Sequence, residues 1–248
     1  MNTVEGFKPW SHSPPIGISN SVRYYIRLIV DFQVLSVYRH MKLFIRQVKG
    51  NILDLGCGES PYRFLIDEKT TKYYGLDIYD ANKFEYKKDD IAHFDGKHIP
   101  YPNDMFDYVI CTEVLEHCEN YQGLIDEVYR VMKPDGKALF TIPWSARYHY
   151  IPYDYFRYTP STLKKIFSHF SETSILPRGT DVTTISSKII VLYFRNLIQK
   201  KAWHYIFFPI LIMFAPLVLI TIALGHVSML LKIGNDLDPL GYTILIKK

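Results

Sequence analysis

Cysteine is scarce in this chain: Cys57, Cys111 and Cys118 are the only three among 248 residues. An odd number at these spacings gives neither a disulfide framework nor a zinc-ligand pattern. That argues against a small stapled secreted fold and points to a reducing, cytoplasmic compartment. Net charge is also small, at +4. It is too little to argue for nucleic acid, and none is expected as a partner, but it suits an anionic membrane surface. The opening stretch MNTVEGFKPWSHSPPIG lacks an apolar core, so no cleaved export signal is expected there. Internal repeats and low-complexity tracts are absent as well. The sharpest absence is local. From Ala202 to Leu231 there is no Asp, Glu, Lys or Arg for 30 residues.

Apolar residues make up 48% of the chain, enough for a packed core, so disorder is not expected. Pro14, Pro15 and Gly17 mark residues 1–20 as a loop or arm. Residues 21–48 contain neither Pro nor Gly and read as one helix. Along it Arg23, Arg27, Asp31, Arg39, Lys42, Arg46 and Lys49 share one side of a helical wheel. That side is either a solvated charged face or a basic face lying near anionic lipid.

From residue 50 the pattern changes. NILDLGCG is an apolar run ending in glycines, a strand followed by a tight turn. KYYGLD, MFDYVICTE and KALFTIP read as further strands. Between the last two, Leu124, Ile125, Val128, Val131 and Met132 recur at helical spacing and stop at Pro134 and Gly136. Strands alternating with helices imply an α/β fold with a parallel sheet. In such a sheet a nucleotide-like ligand sits beyond the carboxyl end of the first strand. Asp54, Gly56, Cys57 and Gly58 lie there, and the glycines permit close backbone approach. Asp77 closes the next strand, where a carboxylate can accept from both ribose hydroxyls. Asp90 is read as ending the strand after that, placed to meet an adenine amino group. Each acid alone could cap a turn; three at successive strand ends form a constellation. The third glycine of a nicotinamide fingerprint is missing, with Ser60 near its place. A carboxylate at the turn, with Glu59 beside it, disfavours a pyrophosphate and suits a ligand bearing a positive ammonium or sulfonium.

These stretches, NILDLGCGESPY, YYGLDI and the run from DDIAHF to ALFTIPW, resemble the class I S-adenosylmethionine-dependent methyltransferases, most closely the methyltransferase type 11 group. The likeness is close over residues 50–145 and looser to 182. It implies a Rossmann-like, seven-stranded, mostly parallel sheet with an antiparallel last strand. It also implies S-adenosylmethionine as cofactor, with Asp54, Gly56, Cys57 and Gly58 in the cofactor loop. By the same resemblance Asp77 holds the ribose, with Ile78 beside it among the cofactor-binding residues, Asp90 and Ile91 frame the adenine, and Thr112 and Glu113 line the methionine end. Ser60 and Asp135 stand where the family often has glycine.

Such a cofactor carries an activated methyl group, so the protein's main task is alignment of the acceptor. No metal-ligand cluster is evident in the sequence, and no metal is expected. A hydroxyl acceptor would be served by a general base. Candidates lie in PWSARYHYIPYDYFRYTPST, which follows a strand's carboxyl end: His149 as base or acceptor contact, with Tyr153, Asp154, Arg157 and Tyr158 on the acceptor side. This stretch resembles methyltransferases of surface-polysaccharide and glycan biosynthesis through its His-x-x-Pro-x-Asp-Tyr-x-Arg-Tyr pattern. His117 in LEHCEN is the other candidate base. The plainer reading of the whole stretch is a lid packed by its aromatics.

A strand is expected near 172–178, and GYTILIKK reads as the last strand of the sheet. The chain thus divides into an N-terminal arm and helix (1–49), a methyltransferase core (50–183), an apolar helical insertion (184–238) and the last strand (239–248). The insertion is long enough to cross a bilayer. A single crossing, however, would put GYTILIKK on the wrong side of its own sheet. Arg195, Lys200 and Lys201 before the run and Lys232 after it fit both ends staying on the cytoplasmic side. Pro209, Pro216 and Gly225 offer places to bend. The expectation is a hairpin or interfacial insertion at the inner membrane face, or else a helix packed in the core or in a homodimer. The function expected is methyl transfer to a small-molecule, lipid-linked or glycan acceptor; the alternative is a non-catalytic cofactor-binding module that anchors a complex.

Overall fold

The computed structural model describes residues 12–79, 91–197, 205–206 and 208–248. Seven strands form one sheet: β1 (Gly50–Leu55), β2 (Thr71–Ile78), β3 (Ala92–Phe94), β4 (Phe106–Thr112), β5 (Met132–Pro143), β6 (Glu172–Arg178) and β7 (Gly241–Lys247). Their order is β3-β2-β1-β4-β5-β7-β6. The first five pair in parallel, and β7 runs antiparallel between β5 and β6. The order reverses at β1 and β4, so the crevice for a ligand opens beyond their carboxyl ends.

Period-two alternation divides the strand side chains between two layers. Ile52, Ile110 and Leu139 face a cluster with Val37, Met41, Phe44 and Ile45 of α2 (Phe32–Ile45). Their neighbours Leu53, Val109, Cys111, Ala138 and Phe140 face the other way, against Leu124, Ile125 and Val128 of α3 (Tyr121–Val131) and Leu163 and Ile166 of α4 (Pro160–Ile166). The single N-terminal helix expected from the sequence is two helices, α1 (Ile18–Val30) and α2, broken at Asp31. Asp31 is extended, and its carboxylate accepts from the Val34 amide and pairs with Arg27. An Asp that can cap the next helix competes with helix continuation. Arg23 and Arg27 therefore lie on α1, Arg39 and Lys42 on α2, and Arg46 and Lys49 beyond its end, not on one stripe.

Between β6 and β7 the chain makes α5 (Asp181–Leu197) and α6 (Phe208–Leu231). They run antiparallel: the start of α5 meets the end of α6, where the Thr183 and Ser228 hydroxyls lie 3.1 Å apart and Thr180 donates to the Ile233 carbonyl. The insertion thus leaves the sheet and returns to it. α6 is continuous across Pro216 and Gly225, two of the places where a bend was expected. Gly225 packs against the start of α2, and a Cβ there would run into the Phe32 ring.

Burial on α6 is inverted relative to a water-soluble helix. Its buried residues are Val218, Thr221, Gly225 and Ser228, a stripe at spacings of three and four. The large apolar residues Ile212, Phe214, Leu217, Leu219, Ile220 and Leu224 are exposed. α5 largely repeats the arrangement, with Thr183, Thr184, Ser186 and Ser187 buried alongside Ile190, and Ile185, Ile189 and Leu192 exposed. α6 is long and apolar enough to cross a membrane by length and composition, with 17% of its most apolar window buried.

Candidate active site

The glycine turn after β1 is fixed by main-chain bonds. The Gly56 and Cys57 amides both donate to the Leu76 carbonyl. Gly56 has φ 69°, and a Cβ there would strike Val114. The turn therefore requires glycine both for conformation and for contact with the loop after β4. Gly58, at φ 50°, donates its amide to Asp77 Oδ2 at 2.8 Å. Asp77 Oδ1 accepts from the Ile78 amide at 2.8 Å. Burial pushes the Asp77 carboxyl above its ordinary range, while the two amides pull it back. Each oxygen keeps a lone pair for a ligand hydroxyl. Cys57 is buried, its sulfur against Gly75.

Asp54 does not point outward. It is 3% exposed and accepts the Tyr73 hydroxyl at 2.7 Å, which also lies 2.9 Å from the Ser60 hydroxyl. Asp54 props the turn from beneath. Ser60, the family's departure from glycine, has φ 52° and is fully buried. Its hydroxyl bond offsets the strain that a side chain meets in this conformation. Ser60→Ala keeps the strain and loses the bond, and is expected to cost about 1 kcal/mol. Ser60→Gly relieves the strain and is expected to cost less. Urea denaturation of both variants decides, and a glycine variant less stable than the alanine variant contradicts this account. Asp135, the other departure, is likewise left-handed at φ 63°.

Asp90 lies outside the described residues, and β3 begins after it, at Ala92. Position 90 therefore precedes the strand that it was read as ending. Ile91 packs above Gly75 of β2. The acid that follows β3 is Asp95, one residue past the register pair Ile78–Phe94. Its carboxylate accepts from the Lys97 and His98 amides at 2.8 and 2.9 Å. The signal was in the sequence, as an Asp-Gly turn directly after an apolar residue.

The loop after β4 carries most of the remaining groups. Thr112 pairs with Thr141 of β5. Glu113, at φ 55°, is clamped by Arg178 of β6 at 2.6 Å. Arg178 is fully buried and also reaches the Ser36 hydroxyl and the Ile142 carbonyl. The sequence reading missed it because its partners lie far along the chain. Glu116 is fully buried, and burial raises its carboxyl well above the usual range. His117 Nδ1 stands 2.6 Å from the Tyr153 carbonyl, and burial lowers this imidazole to about 4.

Residues 144–159 are sewn onto that loop. The Tyr155 amide donates to the Glu116 carbonyl, and the Tyr158 hydroxyl donates to the Leu115 carbonyl. Tyr158 is 3% exposed, so it anchors the segment from inside rather than facing an acceptor. Asp154 and Arg157 form a two-pronged pair at 2.5 and 2.7 Å. Burial would raise the Asp154 carboxyl, but hydrogen bonds from Arg157 and His149 hold it well below the usual carboxylate range. His149 Nδ1 lies 3.0 Å from Asp154 Oδ2 and 3.0 Å from the Arg147 carbonyl. The His117 and His149 rings meet edge to face at 5.0 Å, so the fold brings the two candidate bases together. With Glu116 they form a cluster of metal-ligating groups, which the sequence reading did not find. Glu116 and His117 are neighbours in one loop but His149 comes from another, so no local spacing announces it. The N-terminal segment reaches the far side of the glycine turn, where Ser13 donates to Glu59 and His12 stacks on Tyr24 and meets Tyr62 edge-on.

A family model described as a methyltransferase domain matches residues 33–177. A probable S-adenosylmethionine-dependent methyltransferase of Mycolicibacterium smegmatis is 29% identical over 108 residues, 42% of each chain. A demethylmenaquinone methyltransferase of a Geobacillus species is 27% identical over 157 residues, 54% of this chain and 67% of the relative. An uncharacterised protein of Methanocaldococcus jannaschii is 27% identical over 122 residues, 48% of this chain and 53% of its own. The chain spans about half the length of the first curated relatives it matches. A crystal structure of a SAM-dependent methyltransferase from Archaeoglobus fulgidus superposes with a TM-score of 0.54 at 19% identity, covering 91% of this chain and 99% of that one. At that identity the likeness speaks for the fold. The sheet order, the glycine turn facing Asp77 and the matched domain agree, and the chain belongs to the methyltransferase-domain family, with S-adenosylmethionine as its cofactor.

Proposed function

We propose that this protein methylates an amphiphilic or glycan-type acceptor, lipid-linked or lipid-like, at the cytoplasmic face of a membrane. The inverted burial of α6 carries this reading. Small and hydroxyl-bearing residues pack inward while Ile, Leu and Phe face out, the arrangement of a helix whose surroundings are apolar. Ile18, Val22, Ile26 and Ile29 of α1 are exposed as well. Because both ends of the α5–α6 hairpin return to the sheet, the hairpin enters from one side and leaves on the same side. Relatives named demethylmenaquinone methyltransferase fit the acceptor class, a quinone-like lipid being one amphiphile within it.

Within this reading, bound cofactor supplies an electrophilic methyl group on sulfonium sulfur. Asp77 takes the ribose hydroxyls, and the turn Gly56–Cys57–Gly58 lets the backbone approach. Ile78 and Ile91 flank the adenine, with Asp95 at the end of β3, and Thr112 and Glu113 stand at the methionine end. Asp154 and Arg157 set His149, and with Tyr153 and His117 they shape the acceptor side. Membranes and glycan extracts are incubated with the full chain and methyl-labelled cofactor. Label is expected in an organic-phase product, or in a glycan released from lipid. Label confined to free water-soluble small molecules would sink the acceptor assignment.

A further inference from the structure

Glu116, His117 and His149 bring their ligand atoms within 4.8 Å of one another. Glu116 is 0% exposed, and neither of its carboxylate oxygens has a hydrogen-bond partner among the described residues. A carboxyl group sealed from water without partners is costly, and such groups are commonly paired or coordinate a metal. His117 Nε2 lies 3.7 Å from Glu116 Oε1, beyond hydrogen-bond reach, so the two do not share a proton directly.

Both imidazoles are held in one tautomer. The neighbours of His117 Nδ1 and His149 Nδ1 are carbonyl or carboxylate oxygens, which only accept, so each Nδ1 carries a proton and Nε2 is the ring atom that each can offer to a metal. Asp154 is in turn locked by Arg157. A carboxylate or carbonyl behind each imidazole is the outer shell that orients metal-bound histidines.

We propose that Glu116, His117 and His149 bind a divalent transition-metal ion whose open positions take an oxygen of the methyl acceptor. Two imidazoles and one carboxylate suit zinc, manganese or cobalt better than calcium. Three protein ligands leave coordination positions open. The loop bearing Glu116 and His117 abuts the glycine turn through Val114, which places the cluster beside the cofactor crevice. The part concerning the acceptor rests on the methyl-transfer reading; the metal site itself does not. A hydroxyl bound there gives up its proton to water more readily. Its oxygen lone pair then forms the new C–O bond as the C–S bond breaks, and that electron pair stays on sulfur as a neutral thioether.

The full-length protein, stripped with a chelator, is titrated with Co2+ by visible absorption and with Zn2+ by calorimetry. S-adenosylhomocysteine binding is measured on the same samples. One ion per chain is expected. Glu116→Gln and His149→Ala are expected to weaken binding by more than the roughly 10- to 100-fold typical of outer-shell partners, and Asp154→Asn by about that amount. S-adenosylhomocysteine affinity stays unchanged in all three. Protein that binds S-adenosylhomocysteine but takes up no saturating ion overturns the proposal, as do variants that bind the ion as tightly as the parent. Saturating ion uptake without any S-adenosylhomocysteine binding would leave the metal site standing and count against the methyl-transfer reading.

Discussion

Asp77→Asn lowers the affinity for S-adenosylhomocysteine by about 100-fold, measured by calorimetry. The carboxylate sits between two donors, the Gly58 and Ile78 amides, and both of its oxygens are already acceptors. A ribose diol adds two more donors. Asparagine has one acceptor oxygen, so its NH2 group must face one of the backbone amides, donor against donor. Hydrogen bonds to a charged group contribute roughly 1.5–3 kcal/mol each, so weakening two removes about 3 kcal/mol. The substitution is nearly isosteric, so the sheet should persist and the fold can be checked independently by circular dichroism. A loss below tenfold would mean that Asp77 only braces the turn and that the ribose is held elsewhere.

Local chemistry made the cofactor half of the site legible. A strand, a Gly-x-Gly turn and an acid at the end of the next strand occupy a short span of chain, and physical rules tie them to one crevice. Less was legible where the determinants are distant or ambiguous. Asp54 looked like a ligand group because position alone cannot tell whether a carboxylate faces the crevice or a buried tyrosine behind it. Asp90 reads as a strand end in KKDDIAHF, but β3 starts at Ala92 and, at three residues, leaves little alternating pattern to mark its end. Asp31 breaks the N-terminal helix although no Pro or Gly marks the spot; the cap on Val34 does it. Glu116 was passed over beside His117 because a Glu in a polar loop is usually solvated, and only the folding of residues 144–159 over it removes the water. The same packing joins His117 to His149. The return of the chain was legible because β7 must rejoin the sheet, but the fold-back lies between α5 and α6 and not at Pro216 or Gly225 inside the apolar run.

Ile212→Lys with Leu219→Lys abolishes binding to vesicles containing anionic lipid, lowering partition at least about 100-fold, since a lysine deep in hydrocarbon costs roughly 3 kcal/mol. Both residues are exposed, 58% and 67%, so the folded protein gives up almost no internal packing when they change. The opposite experiment, on the inward stripe, would confuse lipid contact with stability, because Thr221, Gly225 and Ser228 hold α6 to its neighbours. Leu176→Lys on the edge strand β6 is the control: it adds charge of the same sign to an exposed apolar position outside the hairpin and leaves partition intact. Flotation with vesicles reads the outcome, and unchanged S-adenosylhomocysteine affinity shows that the domain is folded. If the double variant floats like the parent, lipid does not cover α6. If it instead turns a dimer into a monomer by light scattering, a second copy of the chain does. The two coverings make opposite demands on the packed face, too: a dimer helix in water would be expected to keep its Leu and Ile toward a partner over one stripe and polar residues elsewhere. Away from its packed stripe, α6 carries exposed apolar side chains at 212, 213, 214, 217, 219, 220 and 224, a spread that supports the proposed lipid covering over a partner helix on one stripe.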